Sequence, residues 1–513
     1  MPSPVERLYL SDEQVASGVR LACQVRPKQD AEVVILNPAP VSSWKAIAAD
    51  SRYRADFDGL SARPPLNLPK SIKQAYGVAV DLGTTHISLS FYDLLTGKRL
   101  TGRHGLNPQI EHGLDVMTRL TAACESQSLA QAMRRQAVCA IGDAMADIGA
   151  REGLAADHVV KVVLGGNTAM LALLSGRNYR LLLQPSHWMR PIDCLPDNPK
   201  DLALSWGVHP EAIIEILPPV AGFVGSDLTA GVIATRLTET CSGSLLIDFG
   251  GNSEIALWDG KILWATSAAG GPAFEGCGVS CGMPAESGAI YRVCDQADCK
   301  CQGAKTYGPV DGGVQQDAGI LTIPHGIAGM NLEFRTINGE NPIGLCGSGL
   351  VDLIACLVRS GKLTSTGRFA PDVHQSGLAL LDGERPLKLT RRDVDVFQRA
   401  KGAIGAAVRV LLSMARMTSA DLQHIYVGGA FGHFLNKVNA VSIGLLPPVD
   451  CDSIQLCGNT ALAGCEYLLM ARDSVELPRK IMTNTKLINL SQSSDFADFF
   501  LDGLYLSKWP EGI

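Results

Sequence analysis

GVAVDLGTTH, residues 77–86, opens as an apolar run, ends that run in Asp81 and turns through Gly83, Thr84 and Thr85. Read on to residue 98, the stretch continues into a second β-rich run, ISLSFYDLLTGK, that closes in a Gly-containing hairpin. The pattern is a buried strand, a tight turn and a paired strand. It returns at SLLIDFGGNSEIALWDGKIL, residues 244–263, with Asp248 at the strand end and Gly250, Gly251 and Asn252 in the turn. A duplicated fold accounts for the pair. Between and after them, apolar spacing predicts amphipathic helices over 129–150, 349–360, 391–414 and 460–471, of the kind that pack on a sheet. Alternating β-rich and helical segments make this an α/β chain.

A chain of 513 residues exceeds what one hydrophobic core usually supports, so at least two compact lobes are expected, with a ligand site between them. Apolar residues at 46% and charged residues at 19% describe a folded globular chain and argue against extended disorder. A formal charge of -6 gives no general pull toward nucleic acid or an anionic membrane. The first residues, MPSPVERLYLSDEQ, are charged throughout and lack the apolar centre of a secretory signal, and no apolar run is long enough to span a bilayer. A cytoplasmic location is therefore expected. There the 15 Cys would be buried, metal-binding or redox-active thiols rather than disulfides.

An aspartate at a strand end followed by Gly-Thr-Thr suits a polyphosphate. Gly83 would let the backbone approach the phosphates, Thr84 and Thr85 add hydroxyl and amide donors, and the Asp81 carboxylate can hold a hydrated Mg²⁺. Asp248 and its turn of Gly250, Gly251 and Asn252 can do the same from the opposite lobe. Two carboxylates facing one triphosphate suit metal binding and the orientation of an attacking water. Either turn alone is equally a hairpin whose Asp caps a turn. A third element, IYVGGAFGHF at 425–434, runs an apolar strand into Gly428 and Gly429, where a side chain would block a flat base or ribose.

In this order the three motifs resemble those of the actin, sugar-kinase and Hsp70 class of ATP-binding proteins. The resemblance implies duplicated actin-like, ribonuclease H-like ATPase lobes with a nucleotide cleft between them. LCGSGLVDLI at 345–354 puts Gly347 and Ser348 ahead of a helix carrying Asp352. It resembles the helix that crosses between lobes in this class, and is as fairly read as a plain Gly-rich helix start. From the small-residue helix QRAKGAIGAAV at 398–408, Lys401 either reaches the adenine or ribose or is an exposed, solvated lysine.

Four further blocks narrow the resemblance: NPQIEHGLDVMTRL at 107–120, GGNTAM at 165–170, LPPVAGFVGSD at 217–227 and GGPAFEGCGVSCGMPAESGAI at 270–290. Together they are similar to the reductive activators of corrinoid proteins, over nearly the whole stretch from residue 77 to about 471. The resemblance implies an ATP hydrolase that reactivates a corrinoid protein or corrinoid-dependent methyltransferase by promoting reduction of Co(II) to Co(I). It also implies a homodimer. Lobe closure driven by nucleotide could force the partner into a state where an uphill electron transfer becomes feasible. LPPVAGFVGSD could serve the cleft, serve partner docking or be an ordinary buried loop. The rival readings are an ATP-gated chaperone of a corrinoid protein that passes no electrons, and a small-molecule kinase, for which no dedicated acceptor motif is present.

The expected organisation is a ferredoxin C-terminal remnant over 1–40, a linker over 41–74, a first ATPase lobe over 75–240, a second over 241–475 and a C-terminal segment over 476–513. Typical members of the resembled family begin with a two-iron two-sulfur ferredoxin domain. Here Cys23, in GVRLACQVRPKQDAEVVI, stands in the place of a fourth cluster ligand and the first three are absent from the sequence. The electron then comes from a separate ferredoxin-type donor, or the sequence starts downstream of the missing ligands, or the cluster has moved. For the last, Cys294, Cys299 and Cys301 in YRVCDQADCKCQ form a trio that could bind iron–sulfur or zinc, against an insertion loop with incidental thiols.

Overall fold

The computed structural model describes residues 15–16, 44–47, 74–240, 242–276, 278–295, 320–322, 330–374, 377–381, 386–429, 434–471 and 474–510. The chain divides into Met1–Ser42 and Ser43–Ile513. Of the first unit only Val15 and Ala16 are described, both helical, so the ferredoxin-remnant reading and Cys23 lie outside the described residues.

In Ser43–Ile513 the first sheet is built from Lys45–Ile47 (β1), Tyr76–Leu82 (β2), His86–Asp93 (β3), Lys98–Leu106 (β4), Val159–Gly166 (β5) and Ile213–Ile216 (β6). Their order is β1-β4-β3-β2-β5-β6. Strands β2, β3 and β4 form an antiparallel meander, and β5 and β6 run parallel to β2. Its helices are Val116–Glu125 (α1), Gln127–Glu152 (α2), Thr168–Ser175 (α3), Lys200–Ser205 (α4) and Ser226–Ala234 (α5). Ser126 caps α2 by accepting from Leu129 N, and Gly153 ends it at a φ of 71°, a left-handed stop that favours glycine.

The second lobe repeats the plan with Ser244–Phe249 (β7), Ser253–Trp258 (β8) and Leu263–Ala268 (β9). A short helix, Gly271–Phe274 (α6), follows, then a small sheet of Ala289–Asp295 (β10), Ile320–Thr322 (β11), Leu332–Thr336 (β12) and Gly344–Leu345 (β13). Next come Gly347–Arg359 (α7), a hairpin of Leu378–Leu381 (β14) and Leu387–Leu389 (β15), and Arg391–Ala415 (α8). The chain then returns with His424–Gly428 (β16), Lys437–Ser442 (α9), Ile454–Gly458 (β17), Thr460–Met470 (α10), Glu476–Thr483 (α11), Thr485–Leu487 (β18) and Phe496–Gly503 (α12). The second sheet is ordered β17-β16-β7-β8-β9-β18, so the core order β4-β3-β2-β5-β6 of the first sheet recurs as β9-β8-β7-β16-β17.

Why these runs become strands is plain from their burial. In YGVAVDL of β2 every residue but Asp81 is buried, and in SLLIDF of β7 every residue but Asp248. Each fully buried Val, Leu or Ile contributes roughly 1.5–3 kcal/mol. The one acidic residue of each strand is left at the cleft end. One apolar cluster joins the first sheet to α1, α2 and α3, and another joins the second sheet to α7 and α8. A third lies between the sheets, where Ala79 and Val163 of the first and Leu246 and Ala256 of the second meet Leu228 and Val232 of α5 and Leu462 and Leu468 of α10. Helices α5 and α10 cross there at very short range: a Cβ on Gly464 would collide with the Ala230 carbonyl.

Three boundaries differ from the sequence expectation. Within the expected linker, Lys45–Ile47 adds an edge strand antiparallel to β4. Helix α10, expected in the second lobe, packs on β2 and β5 of the first, because its apolar face is needed to fill the layer between the sheets. In the expected C-terminal segment, β18 completes the second sheet beside β9. The crossing helices are α5 and α10. The helix carrying Asp352, α7, packs on β10, α6 and α9 and stays in the second lobe, where Asp352 accepts from Asn439 Nδ2 at 2.7 Å and Val293 N at 3.2 Å. Among the described residues no helix is long and apolar enough to cross a membrane.

Candidate functional site

Both strand-end aspartates reach the same place. Asp81 pairs across the first sheet with Gly165 on β5 and Ser88 on β3, and Asp248 across the second with Gly428 on β16 and Glu254 on β8. Each therefore has a glycine on its parallel neighbour. The start of α10 joins them: Asn459 Nδ2 donates to Asp81 Oδ2 at 2.7 Å, and Thr460 Oγ1 donates to Asp248 Oδ2 at 2.5 Å. Asn459 Oδ1 meanwhile caps α10 by accepting from Leu462 N at 2.8 Å. One helix terminus thus spaces two carboxylates from two lobes.

The turns behave as turns first. At Gly83 a Cβ would lie 2.6 Å from the His86 carbonyl oxygen, and Gly250 N donates to the Asn252 carbonyl at 3.0 Å. Thr84 Oγ1 accepts from Asn167 Nδ2 at 2.6 Å, and Thr85 Oγ1 donates across the cleft to Glu275 Oε2 at 2.8 Å. Gly251 faces the same point: a Cβ there would stand 3.7 Å from both Glu275 Oε2 and Thr84 Cβ. Gly428 and Gly429 are required for a different reason from the one expected. A Cβ on Gly428 would lie 2.8 Å from both Asp248 Oδ2 and Thr460 Oγ1, and Gly429 sits at a φ of 83°. The glycines leave space for the Asp248 carboxylate and for a left-handed turn; residues 430–433 of that motif lie outside the described residues.

Gly347 and Ser348 line a pocket with Glu275, His86, Phe274 and Cys346. Lys401 is elsewhere, and neither of its expected settings holds. It is 1% exposed, and its Nζ donates to the carbonyls of Gly503 at 2.6 Å and Tyr505 at 2.8 Å, binding α12 onto α8. Burial brings its ammonium down to about 7. Of the Cys trio, Cys294 is on β10 with Sγ 4.0 Å from Glu333 Oε2, while Cys299 and Cys301 lie outside the described residues.

The cleft concentrates negative charge. Desolvation raises Asp81 to about 7 against the lowering hydrogen bond from Asn459, with Asp227 and Asp248 adding repulsion. It raises Asp248 to about 6 against the bond from Thr460. Asp227 on α5 and Glu254 on β8 are both pushed up by burial and by the carboxylates around them. Glu275 is raised to about 6 by burial, held back by Thr85 and by the Arg119 guanidinium. So dense a set of carboxylates suits a hydrated divalent cation, which favours their charged forms. Among the described residues no three or more His, Cys, Asp or Glu are arranged to ligate a metal.

Asn167, Asp227, Glu254, Glu275, Asn459 and Thr460 are the members of the site that motif reading did not single out. The signal for two of them was present. GNTA occurs at 166–169 and again at 458–461, each time turning a strand end into a helix. In both copies the Asn caps the helix and its amide reaches a side chain of the first Asp turn, Thr84 from Asn167 and Asp81 from Asn459. The blocks GGNTAM and LPPVAGFVGSD also come together: Ser226 Oγ bonds Gly166, and a Cβ on Gly225 would lie 2.5 Å from Asn167 Cα.

This arrangement has relatives. A protein named corrinoid activation enzyme RamQ, from Eubacterium limosum, is 27% identical over 456 residues, which is 84% of this chain and 70% of that protein. The Co(II) methylated amine-specific corrinoid protein reductase of Methanosarcina barkeri is 27% identical over 451 residues, 85% of this chain and 78% of that protein. Among solved structures, the reductive activator for corrinoid, iron-sulfur protein superposes with a TM-score of 0.70 at 28% identity, covering 85% of this chain and 67% of that one. Residues 76–240 match the RACo middle region and residues 242–511 match the C-terminal domain of RACo, the ASKHA domain. With its two duplicated lobes and both halves of its length matched in order, the chain belongs to the RACo family.

Proposed function

We propose that this protein is an ATP-dependent reductive activator of a corrinoid protein, hydrolysing ATP in the cleft between its lobes as the cobalt of its partner is reduced from Co(II) to Co(I). The observation that carries the reading is the convergence of Asp81 and Asp248 on Asn459 and Thr460, which makes occupation of the cleft and the spacing of the lobes one event. The names of the relatives supply the partner class.

In this reading the turn at Gly83, Thr84 and Thr85 and the turn at Gly250, Gly251 and Asn252 bind the phosphates from opposite sides. Mg²⁺ held through water by Asp81 and Asp248 would neutralise phosphate charge. Thr85 already donates to Glu275 of the other lobe, so a phosphate that takes over the Thr85 hydroxyl would change an interlobe contact as it binds. Energy of binding becomes a shift in lobe population. The electron would come from a separate ferredoxin-type donor.

The assay mixes the protein with ATP, a reduced ferredoxin and a Co(II) corrinoid protein and follows the visible spectrum for Co(I). ATP-dependent Co(I) is expected, and its absence would sink the reductase reading. Asp248→Ala is expected to abolish hydrolysis, and unaltered turnover would put the chemistry elsewhere.

A further inference from the structure

Beyond the pair that would hold the metal, one carboxylate of the cleft touches both Asp turns. Glu275 follows α6 and accepts from Thr85 Oγ1 at 2.8 Å. Its Oε2 is also the atom nearest the missing side chain of Gly251, at 3.7 Å, with Thr84 Cβ at the same range. Both phosphate turns therefore meet at this oxygen. Glu275 also lines a pocket with His86, Cys346 and Ser348, which leaves open space next to its carboxylate. The other carboxylates are engaged: Asp81 and Asp248 with Asn459 and Thr460, Asp227 with Leu228 N at the start of α5, and Glu254, 6% exposed, with Ser267 of the next strand.

Resting on the ATPase reading above, we propose that Glu275 orients the water that attacks the terminal phosphate of ATP and takes its proton. The water oxygen forms a bond to the terminal phosphorus. The bond from that phosphorus to the bridging oxygen breaks, and the electron pair leaves on ADP. The proton passes to the Glu275 carboxylate and then to phosphate or solvent, so the residue is regenerated at each turnover. Before nucleotide binds, Thr85 holds the carboxylate beside the phosphate turn; the phosphate that takes over its hydroxyl leaves Glu275 free to accept from the water. The charged and titratable groups around it are Arg119, Asp248 and, across the pocket, His86 and Cys346.

The test is Glu275→Gln, which preserves shape and still accepts the Thr85 hydrogen bond, beside Glu275→Asp, which keeps a carboxylate set back by one methylene. Steady-state hydrolysis is measured from pH 5 to 9, with fluorescent ATP-analogue titration for binding. For Glu275→Gln, kcat is expected to fall about 10²–10³-fold with analogue affinity nearly unchanged and with the acid limb of the rate profile lost. Glu275→Asp is expected to recover about tenfold of that loss. A Glu275→Gln turnover within about threefold of wild type, or a Glu275→Asp no faster than Glu275→Gln, overturns the proposal. If these occur while Asp248→Ala is dead, the ATPase reading stands and only the role of Glu275 falls. A wild-type protein that neither binds the analogue nor turns over ATP overturns both.

Discussion

Replacing Asn459 by Ser separates two jobs that one side chain performs. Ser still caps α10, but it removes the amide that donates to Asp81 at 2.7 Å. That donation opposes the burial that lifts Asp81 to about 7. If the bond favours the charged carboxylate by about 1.4 kcal/mol, its loss raises the proton affinity of Asp81 tenfold. The ionised fraction at pH 7 then drops from about one half to about one tenth, and recovers to about nine tenths by pH 9. If Asp81 holds hydrated Mg²⁺ as proposed, that ion needs the ionised form, and Mg–nucleotide affinity should fall about fivefold at pH 7 and return nearly to wild type at pH 9. Calorimetric titration at the two pH values measures this. Asn459→Ala should show the same pH dependence and lose about 1 kcal/mol more in urea unfolding, because the cap goes too. A fivefold loss that persists at pH 9, or no loss at pH 7, would refute the link between Asn459 and the charge on Asp81.

The raised carboxylates also set a pH dependence for the whole fold. Asp81, Asp248 and Glu275 titrate near 7, 6 and 6 when folded, so the ligand-free protein binds more protons than its unfolded chain and loses stability as pH rises from about 4 to 7. Mg–nucleotide, which favours their charged forms, should therefore raise the urea midpoint more at pH 8 than at pH 5. Gly428→Ala places a methyl 2.8 Å from Asp248 Oδ2; a loss of about 1–3 kcal/mol in urea unfolding and most of the hydrolytic rate is expected. Lys401→Met strands the Gly503 and Tyr505 carbonyls, at a cost of about 2–3 kcal/mol. Limited proteolysis should then cut near α12 faster than in wild type.

What could be read in advance was what is local in the chain. Asp81 and Asp248 each sit in a strand, turn and strand of about twenty residues, and both copies spell it out. The α8 helix is just as local: a capping box from Thr390 to Asp393 opens it where its apolar period begins. Asn459 escaped notice because its meaning comes from Asp81, 378 residues away, and an Asn before a helix looks like any other cap. Lys401 misled for a related reason. A lysine on a small-residue helix reads as exposed or ligand-reaching until one sees α12 close over it, with Gly503 against Gly402. Helix α7 reads equally as a crossing element or a plain Gly-rich helix start, because such a start serves as well beside a small sheet; the small residues that matter for crossing are Gly464 and Ala230. Edge strand β1 could not be foreseen from three residues, since its support is the β4 edge.

The contact between Gly464 and Ala230 has a mechanical meaning. Two helices whose backbones touch can swivel about the touching point, but neither can slide along the other without driving a carbonyl into a Cα. The two sheets are fastened to opposite sides of this pair, so the lobes are joined as scissors are joined, by a rivet rather than a rail. The Asn459 and Thr460 end of α10 sits at the blade side of that rivet. A small turn there would open or shut the cleft while sweeping the far surfaces of both lobes through a longer arc, so that a protein docked on those surfaces would feel what occupies the cleft without touching it.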